Sequence, residues 1–396
     1  MKAIVFERKE ARYAAGKLAA KISSDAALTL GPLRLAHIDP PELPELDSWH
    51  RLRPRLSGIC GSDLSTISCE TSLYFEPLVS FPFVLGHEIV GDLEDGTRVV
   101  IDAVLGHAAR GYTPPHPEAA PGDGNDYGHS IEGHLKAGIQ TGNCASTGGG
   151  WSTELVVHES QIHKVPESFS DEAAVLVEPC ASGYHTALKA AHTAISQPVN
   201  LAVVIGAGTI GLCALAALRK IAPGATIIAT AKYPEQRSLA EELGANVVAK
   251  PSEIRRAVRR ACGCAMTGDL LSGGADVTID AVGSAASLTD AIAVTRPRGR
   301  IVLSGMPGSV QVDLAPVWHR ETEIVGAYTY GTEHLPDGTE THTFKLAFDL
   351  IEELKLERLV SAHYRLDDYR QGIRHAMSAS ELGASKIVFD LRDEAR

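Results

Sequence analysis

Four side chains in the first part of the sequence have the chemistry of metal ligands. Cys60 lies in GICGSD, His87 and Glu88 are adjacent in GHEIVG, and Glu178 lies in VEPC. A thiolate, an imidazole and a carboxylate together suit Zn²⁺, and three protein ligands leave a fourth position for water or substrate, as in catalytic sites. Taken singly, a cysteine is better explained as a core residue and a histidine as a hydrogen-bonded one. The prediction therefore depends on the combination.

A glycine-rich turn follows the apolar run LAVVI. It holds Gly206, Gly208 and Gly211, and Thr209 and Ile210 begin the helical pattern after it. In a strand–turn–helix unit, the glycines permit a tight turn, close approach of a pyrophosphate, and close helix packing. The helix N-terminus adds positive partial charge for phosphates. A turn that binds nothing is the alternative, but the further strand and helix patterns favour a dinucleotide site.

The choice between NAD and NADP depends on the end of the next strand pattern, TIIATA. A carboxylate about twenty residues after the glycines would bind the ribose 2′-hydroxyl of NAD. This sequence has Ala231 and Lys232 there, with Arg237 one turn further on. Two cations without a carboxylate favour the 2′-phosphate of NADP. The alternative is that both are solvated surface charges.

These residues need two kinds of scaffold. The first half reads as short strands and glycine-rich loops (KAIVFE, RLRPRL, RVVID, WSTELVV), and the turn-rich segment 105–150 reads as a separate excursion. From about residue 182, apolar strands alternate with helical segments, which predicts a parallel sheet covered by helices. The tail ends in a helical pattern and a strand, LDDYRQGIRHAM and SKIVFDL. The fold class is α/β, with a β-rich domain and a doubly wound domain.

The composition of the chain indicates which kinds of ligand it binds. The chain has 396 residues, 37 Lys+Arg against 49 Asp+Glu and a net charge of −12, so we expect a small-molecule ligand and no nucleic acid. Seven scattered cysteines and a charged N-terminal stretch predict a cytoplasmic protein without disulfides or a signal peptide. The uncharged run 201–218 reaches the length of a membrane span, but its glycines favour the strand–turn–helix and no membrane association.

GICGSD, GHEIVG, VEP and VVIGAGTIG, in this order across nearly the whole chain, resemble the zinc-dependent medium-chain alcohol and polyol dehydrogenases. The resemblance implies a discontinuous GroES-like catalytic domain (1–181 and 327–396) around a Rossmann domain (182–326). It also implies hydride transfer between NAD(P)(H) and a secondary alcohol, polyol or related carbonyl, and a homodimer or homotetramer.

The resemblance also assigns roles to site residues. Cys60 and His87 would bind one catalytic zinc. Glu88 would be a direct ligand or would alternate with Glu178. Ser62 would pass the alcohol proton outward, and Asp63 would act as a structural hydrogen-bond acceptor. Candidates for the substrate pocket are Ser62, Tyr74, Phe75 and Trp151.

Two of the departures from the family pattern concern the metal and the proton relay. Many members bind a structural zinc with four closely spaced cysteines after the GHE motif, whereas segment 105–150 has only Cys144. A closed tetrahedral site needs four ligands, so we predict one zinc per chain. Ser65 stands where several relatives have a proton-relaying histidine, so the relay must end differently, and His50 cannot be placed from the sequence.

Two alternatives stay open. A zinc-free, NADPH-dependent double-bond reductase of the same superfamily would not need Cys60, His87 and Glu178. A non-catalytic nucleotide-binding protein is compatible with the loss of the four cysteines but is opposed by retention of the catalytic ligand set. Neither the substrate nor the direction of the reaction can be read from the sequence.

Overall fold

The two ends of the chain fold together and the middle folds separately. The computed structural model describes residues 1–192 and 198–394. One unit contains Met1–Glu178 and Gly331–Arg396, and the other contains Pro179–Tyr330. The domain boundaries expected from the sequence, at 181/182 and 326/327, stay a prediction.

The strands are numbered in chain order. They are β1 (Lys2–Phe6), β2 (Leu33–His37), β3 (Trp49–Gly58), β4 (Phe83–Val84), β5 (Ile89–Leu93), β6 (Arg98–Ile101), β7 (Leu155–His158), β8 (Ile162–Lys164), β9 (Leu201–Ile205), β10 (Thr226–Thr230), β11 (Val247–Ala249), β12 (Met266–Thr267), β13 (Leu270–Leu271), β14 (Ala275–Asp280), β15 (Thr295–Leu303), β16 (Glu323–Gly326), β17 (Thr332–His334), β18 (Glu340–His342), β19 (Val360–Tyr364) and β20 (Lys386–Asp390).

The helices are numbered in the same way. They are α1 (Glu10–Ala20), α2 (Ser24–Leu30), α3 (Gly61–Ile67), α4 (Asp171–Ala174), α5 (Val177–Ala191), α6 (Thr209–Ile221), α7 (Pro234–Glu242), α8 (Ile254–Cys262), α9 (Ala285–Val294), α10 (Ala315–Arg320), α11 (Thr343–Leu354) and α12 (Tyr369–Met377). Short 3₁₀ helices occur at Leu73–Leu78, Ala108–Arg110, Gly128–Ser130, Glu159–Gln161, Pro251–Glu253, Leu356–Leu359 and Leu366–Asp368.

The unit of the chain ends is built on β-sheets. A seven-stranded sheet has the order β19-β20-β3-β5-β6-β8, with β7 also paired to β3, and a three-stranded sheet has the order β2-β1-β4. Strand β20, near the C-terminus, pairs antiparallel with β3, which leads directly to Cys60. The buried ring of Trp151 packs edge-on against Phe389 of β20 in the main core of this unit. The C-terminal strand therefore helps to position the segment that follows β3.

The middle unit contains the predicted parallel sheet. Its order is β11-β10-β9-β14-β15-β16, and every adjacent pair is parallel. Numbered from β9 as the first strand, this is the 3-2-1-4-5-6 order of a doubly wound dinucleotide-binding fold. The α/β fold class predicted from the sequence, with a GroES-like and a Rossmann-type part, is confirmed.

The uncharged run 201–218 forms a strand and a helix. Strand β9 is buried throughout and α6 begins at Thr209, after the glycine turn. In the described part of the chain, we find no helix with the length and apolar composition needed to cross a membrane.

One sequence-based strand was misplaced. The pattern WSTELVV predicts a strand from Trp151, but β7 starts only at Leu155. The hydroxyl of Ser152 donates to the carbonyls of Gly149 and Glu154, which holds the chain in a turn before the strand. The alternation of apolar residues in this segment therefore reflects a buried turn followed by a strand.

Segment 105–150 is organised around a buried arginine. The side chain of Arg110 has no exposed surface, and its guanidinium donates to the carbonyls of five residues: Leu105, Glu132, Leu135, Lys136 and Gly138. Cys144 is also buried, and its thiol donates to the carbonyl of Lys136 at 3.4 Å. A guanidinium thus cross-links the segment in which the family resemblance would place a structural zinc. The absence of a four-cysteine zinc site stays a prediction.

Replacing Arg110 with methionine is expected to loosen this segment. Removal of the guanidinium leaves several buried carbonyls without a donor, at a cost of about 1–3 kcal/mol each. We expect backbone amides in residues 105–144 to exchange with solvent about 100-fold faster or more, because local opening becomes easier. Hydrogen exchange with mass spectrometry measures this. Arg53→Met, at an exposed position on β3, is the control, and equal protection in both variants would contradict the structural role of Arg110.

Candidate metal centre and nucleotide site

Cys60 lies at the junction between β3 and α3. It is buried and occupies the N-cap position of α3. Its backbone N–H donates to the Oδ2 of Asp63 at 2.9 Å, and Oδ1 of the same carboxylate lies 3.5 Å from the Nδ1 of His87. Asp63 therefore holds the backbone of one candidate ligand and the ring of another. Its role as a structural acceptor, expected from the sequence, is confirmed.

His87 and Glu88 lie immediately before β5, in a space that two glycines keep open. A Cβ at position 58 would meet the Oε2 of Glu88 at 1.8 Å, so only glycine permits the carboxylate to lie against β3. Gly86 has φ +93° and packs against the ring of Trp151, where a Cβ would lie 2.3 Å from Cδ1. The first glycine of GICGSD and the first glycine of GHEIVG thus leave room for the side chains of the site.

Ligand atoms of Cys60, His87 and Glu88 all lie within 4.8 Å of one another. All three residues are buried, so their positions are set by the core. A sulfur, an imidazole nitrogen and a carboxylate oxygen at this spacing are a donor set that fits Zn²⁺. The three residues that the sequence singled out from two separate motifs are therefore neighbours.

Lys386 is a part of this centre that sequence reasoning missed. Its ammonium group lies 2.6 and 2.7 Å from the two carboxylate oxygens of Glu88, and it also donates to the carbonyl of Ile59 at 3.3 Å. Both side chains are almost completely buried. Burial alone would lower the pKa of Lys386, but Glu88, Cys60 and Glu178 outweigh it and raise the pKa, so the group stays charged.

The surroundings of His87 favour positive charge. Burial alone would lower its pKa, but Asp63 and Cys60 outweigh this effect and hold the pKa well above the usual value. The same anionic groups that stabilise a proton on this ring would stabilise a metal cation. The residues present therefore fit a divalent ion, both in donor type and in charge.

Glu178 and Glu88 differ in their relation to the centre. Glu178 lies in the first turn of α5 and is buried, but it is not one of the residues whose ligand atoms lie within 4.8 Å of each other. It is close enough to contribute to the raised pKa of Lys386. The structure thus brings Glu88 directly to the cysteine and histidine, and Glu178 into the same electrostatic environment.

The candidates for proton transfer lie on α3. Ser62 and Ser65 are both half-buried and three residues apart, so their side chains share one face of the helix. His50 lies near the start of β3, whereas Cys60 follows the end of that strand. At about 3.3 Å per residue, the two positions are roughly 25 Å or more apart along β3. His50 therefore lies at the opposite end of β3 from Cys60.

Trp151 is a core residue. It has no exposed surface, and its Nε1 donates to the carbonyl of Gly58 at 3.1 Å. Of the other pocket candidates, Tyr74 is 69% exposed and Phe75 is half-buried, and the two rings stack edge to face with centroids 5.2 Å apart. The tryptophan supports the segment before Cys60 from within the core.

The glycine turn after β9 has the geometry expected of a phosphate loop. Gly206 has φ +97°, and its N–H donates to the hydroxyl of Thr230 at the end of β10. A Cβ at Gly211 would meet the carbonyl oxygen of Gly206 at 2.0 Å, which excludes any larger residue. At Gly208 there is open space, as a bound pyrophosphate would require. Thr209 and Ile210, both half-buried, form the first turn of α6.

The end of β10 carries no carboxylate. Ala231 is buried, while Lys232 is exposed and Arg237 is half-buried at the start of α7. In the described ranges, no ion pair or side-chain hydrogen bond involves either cation. Both side chains are therefore available to an anionic ligand at the edge of the sheet where dinucleotides bind.

Two family models match most of the chain. The alcohol dehydrogenase GroES-like domain matches residues 47–167, and the zinc-binding dehydrogenase model matches residues 209–353. Together these ranges contain Cys60, His87 and Glu88, and the helix that follows Gly208.

Curated and solved proteins of similar length also match. L-idonate 5-dehydrogenase from Vitis vinifera is 26% identical, over 92% of this chain and 94% of its own length. L-threonine 3-dehydrogenase from Aeromonas salmonicida is 27% identical, over 90% and 96%. The crystal structure of 2R,3R-butanediol dehydrogenase from Bacillus subtilis matches with a TM-score of 0.66 and 22% identity, over 98% and 99% of the two chains.

Proposed function

The chain belongs to the zinc-dependent medium-chain dehydrogenases, and from this premise we propose that Cys60, His87 and a carboxylate form its catalytic metal centre. The protein is an oxidoreductase that transfers a hydride between NAD(P)(H) and an alcohol or polyol. The observation that carries the assignment of the centre is the buried group of thiol, imidazole and carboxylate within 4.8 Å. A zinc ion bound there supplies Lewis-acid polarisation of the alcohol oxygen.

The side chains around the centre orient and charge it. Asp63 fixes the ring of His87 and the backbone of Cys60. The ammonium group of Lys386 balances the negative charge of Glu88, so this buried carboxylate has a counter-charge. Both Glu88 and Glu178 stay in the proposal as the third ligand. Glu88 is nearer but already accepts two hydrogen bonds from an ammonium group, which weakens it as a donor to a metal.

We assign the first proton transfer to Ser62. Its half-buried hydroxyl lies two residues after Cys60 on α3 and can accept the proton of the substrate alcohol. Ser65 on the same helix face offers the next hydroxyl. Since neither serine titrates near neutral pH, the chain of hydroxyls must deliver the proton to water or to a cofactor hydroxyl.

The dinucleotide site holds the phosphates at Gly206, Gly208 and Gly211 and favours NADP over NAD. Support comes from the open space at Gly208 and from the two cations, Lys232 and Arg237, at the end of β10. Ala231 adds no acceptor for a ribose hydroxyl. A 2′-phosphate would therefore find positive charge there, whereas the 2′-hydroxyl of NAD would find no carboxylate.

Changing Lys232 and Arg237 together to alanine is expected to raise the Kd for NADP about 10- to 100-fold and to leave the Kd for NAD within about twofold. This range corresponds to the loss of one charge-assisted hydrogen bond of about 1.5–3 kcal/mol. Fluorescence titration of both coenzymes measures it. Lys220→Ala, at the other end of α6, serves as the control. Equal losses for both coenzymes would show that the cations do not recognise a 2′-phosphate.

The substrate is proposed to be a secondary alcohol, a polyol or the corresponding carbonyl. According to their names, the relatives given above act on molecules of this kind. All are below 30% identical to this chain, so we propose a substrate class and not an individual compound. The test is coenzyme turnover by the purified protein with a panel of secondary alcohols and polyols, and with ketones in the reverse direction. Turnover only with a compound that has an activated C=C bond would support the double-bond reductase instead. No turnover with any of them would support a non-catalytic role.

We also propose that the protein forms a homodimer or a homotetramer. The middle unit exposes Leu314 and Trp318, 55% and 83% accessible, at the start of and within α10, which precedes the edge strand β16 in the sequence. Exposed apolar groups of this kind are typical of subunit interfaces. Sedimentation velocity tests the assembly state, and a monomer at assay concentrations would rule it out.

A further inference from the structure

A second group of metal-ligating side chains lies in the unit of the chain ends, outside the motifs described above. Asp102 follows β6, His163 lies on β8, and His342 ends β18 and caps α11. One carboxylate oxygen and one ring nitrogen from each histidine all lie within 4.8 Å of one another. Because the three positions are far apart in the sequence, no spacing motif reveals them.

The hydrogen bonds define the state of His342. Its Nδ1 accepts from the backbone N–H of Phe344 at 3.1 Å, and its Nε2 lies 3.1 Å from the Oδ2 of Asp102. A ring that accepts at Nδ1 and donates at Nε2 is neutral. Asp102 is fully buried, and its Oδ1 accepts a hydrogen bond from the backbone N–H of Val104 at 2.9 Å. This buried carboxylate thus has hydrogen bonds but no formal counter-charge.

The other charges near Asp102 do not compensate it. The titratable side chains that act on this carboxyl are His342, whose hydrogen bond lowers the pKa, and Asp123, another acidic group that raises it. Burial raises the pKa of Asp102 despite the hydrogen bonds, as expected for a carboxyl that lacks a cation. The group therefore has an unmet preference for positive charge.

His163 supplies an unused donor atom. Its Nε2 is buried and has no hydrogen-bond partner in the described part of the chain. The ring packs against His342 and Phe344, with centroids 4.5 and 4.6 Å apart. Burial lowers the pKa of His163 to about 3, so the ring is neutral and keeps a lone pair. A buried polar atom without a partner is uncommon in native proteins and calls for an explanation such as an ion.

We propose that Asp102, His163 and His342 bind a second divalent transition-metal ion of the zinc class. Two neutral imidazoles and one carboxylate are typical ligands of Zn²⁺. The ion would replace the Nε2 proton of His342, provide the counter-charge of Asp102 and bind a ring nitrogen of His163. The side chain of His342 is 21% exposed, so water can reach the site and complete the coordination.

The site would tie together the two parts of a discontinuous unit. β6 and β8 belong to the N-terminal part, and the N-terminus of α11 belongs to the C-terminal part, so that Asp102 and His342 are 240 positions apart in the sequence. A metal cross-link that closes a long chain segment stabilises the folded state, because the ligands are not assembled in the unfolded chain. The expected role is structural, and the expected count rises from one ion per chain to two.

The test is the stoichiometry of metal binding in metal-stripped full-length protein. Titration with Zn²⁺, followed by inductively coupled plasma mass spectrometry after desalting, should give two ions per chain for the native sequence. Cys60→Ser should keep one ion, and His163→Phe should keep one ion. The double variant should keep none. His342→Asn, which retains a side-chain acceptor for the N–H of Phe344, repeats the test if the phenylalanine variant does not fold.

Co²⁺ separates the two sites by their ligands. In Cys60→Ser, the bound cobalt should lack thiolate-to-metal charge-transfer absorption, whereas in His163→Phe it should retain it. A hundredfold excess of Zn²⁺ over its Kd should raise the Tm of Cys60→Ser by roughly 5 °C and leave that of the double variant unchanged. Folded Cys60→Ser that binds no ion, or His163→Phe that still binds two, would overturn the proposal. Either result leaves the proposed catalytic function intact.

Discussion

Replacement of Cys60 with alanine is expected to reduce kcat by at least about 1,000-fold. The thiolate is one of the groups proposed to hold the catalytic ion, and Lewis-acid activation contributes several kcal/mol to lowering the barrier, with tenfold in rate for each 1.36 kcal/mol. The dinucleotide site lies in the other unit, so the Kd for the coenzyme should stay within about twofold. Steady-state turnover and coenzyme titration on the same preparation measure both quantities.

The control for this variant is Cys144→Ala. Cys144 is buried, as Cys60 is, but its thiol donates to a backbone carbonyl and is not part of a ligand group in the described residues. This control should keep both turnover and zinc. Undiminished turnover in Cys60→Ala would contradict a role of this thiolate in the catalytic centre.

Replacement of Lys386 with methionine is expected to lower the free energy of unfolding by about 3–5 kcal/mol. The change removes the ammonium group that lies 2.6 Å from Glu88 and leaves a carboxylate buried without its partner. The double variant with Glu88→Gln should regain much of this loss, because the uncompensated charge is gone. Urea-induced unfolding of the single and double variants measures the coupling.

A second readout separates an electrostatic role of Lys386 from a purely structural one. Removing a cation beside the metal centre should tighten zinc binding, so the Kd for Zn²⁺ should fall about tenfold or more even as the fold becomes less stable. The matched control is Lys9→Met. Lys9 also lies 2.6 Å from a glutamate, Glu7, but is 52% exposed, and exposed pairs contribute about 0–1 kcal/mol. Equal destabilisation in both variants, or weaker zinc binding without Lys386, would contradict this account.

Local patterns predicted the middle unit well. LAVVI, the glycines and the helix after them form one continuous segment, and the glycine conformations depend on neighbours within that segment or on the adjacent strands. The alternation of strands and helices then dictates a parallel sheet, since parallel strands need crossover helices. The family resemblance also rested on short motifs, and the family models match around them.

Features that depend on distant pairs were not predicted. Lys386 looks like a polar residue at the start of SKIVFDL, and only the pairing of β20 with β3 brings it to Glu88. The one available signal was the position of this lysine at the start of an apolar strand pattern. If that strand is fully buried, the lysine is buried with it and needs an anionic partner. Arg110 likewise gives no signal in a turn-rich segment, because its acceptors are backbone carbonyls, which any residue can supply. Trp151 is the opposite case. The sequence made it a candidate for the substrate pocket, but the structure places its side chain in the core.

The N-terminal helices were also missed. α1 (Glu10–Ala20) has few strongly apolar residues and no side-chain hydrogen bond at its N-cap, so neither its periodicity nor its start is pronounced. It is followed at once by α2, whose N-cap Ser23 accepts from the backbone of Ala26. Packing between the two helices, rather than local sequence preference, accounts for their presence next to the three-stranded sheet.

The central claim is that a divalent ion at Cys60 and His87 is required for hydride transfer. The most direct measurement is turnover of metal-stripped protein before and after Zn²⁺ is returned, with Cys60→Ala treated in parallel. We expect no turnover in the ion-free native protein, full recovery with Zn²⁺, and no recovery in the variant. Ion-free native protein that oxidises its alcohol at an undiminished rate would contradict the claim.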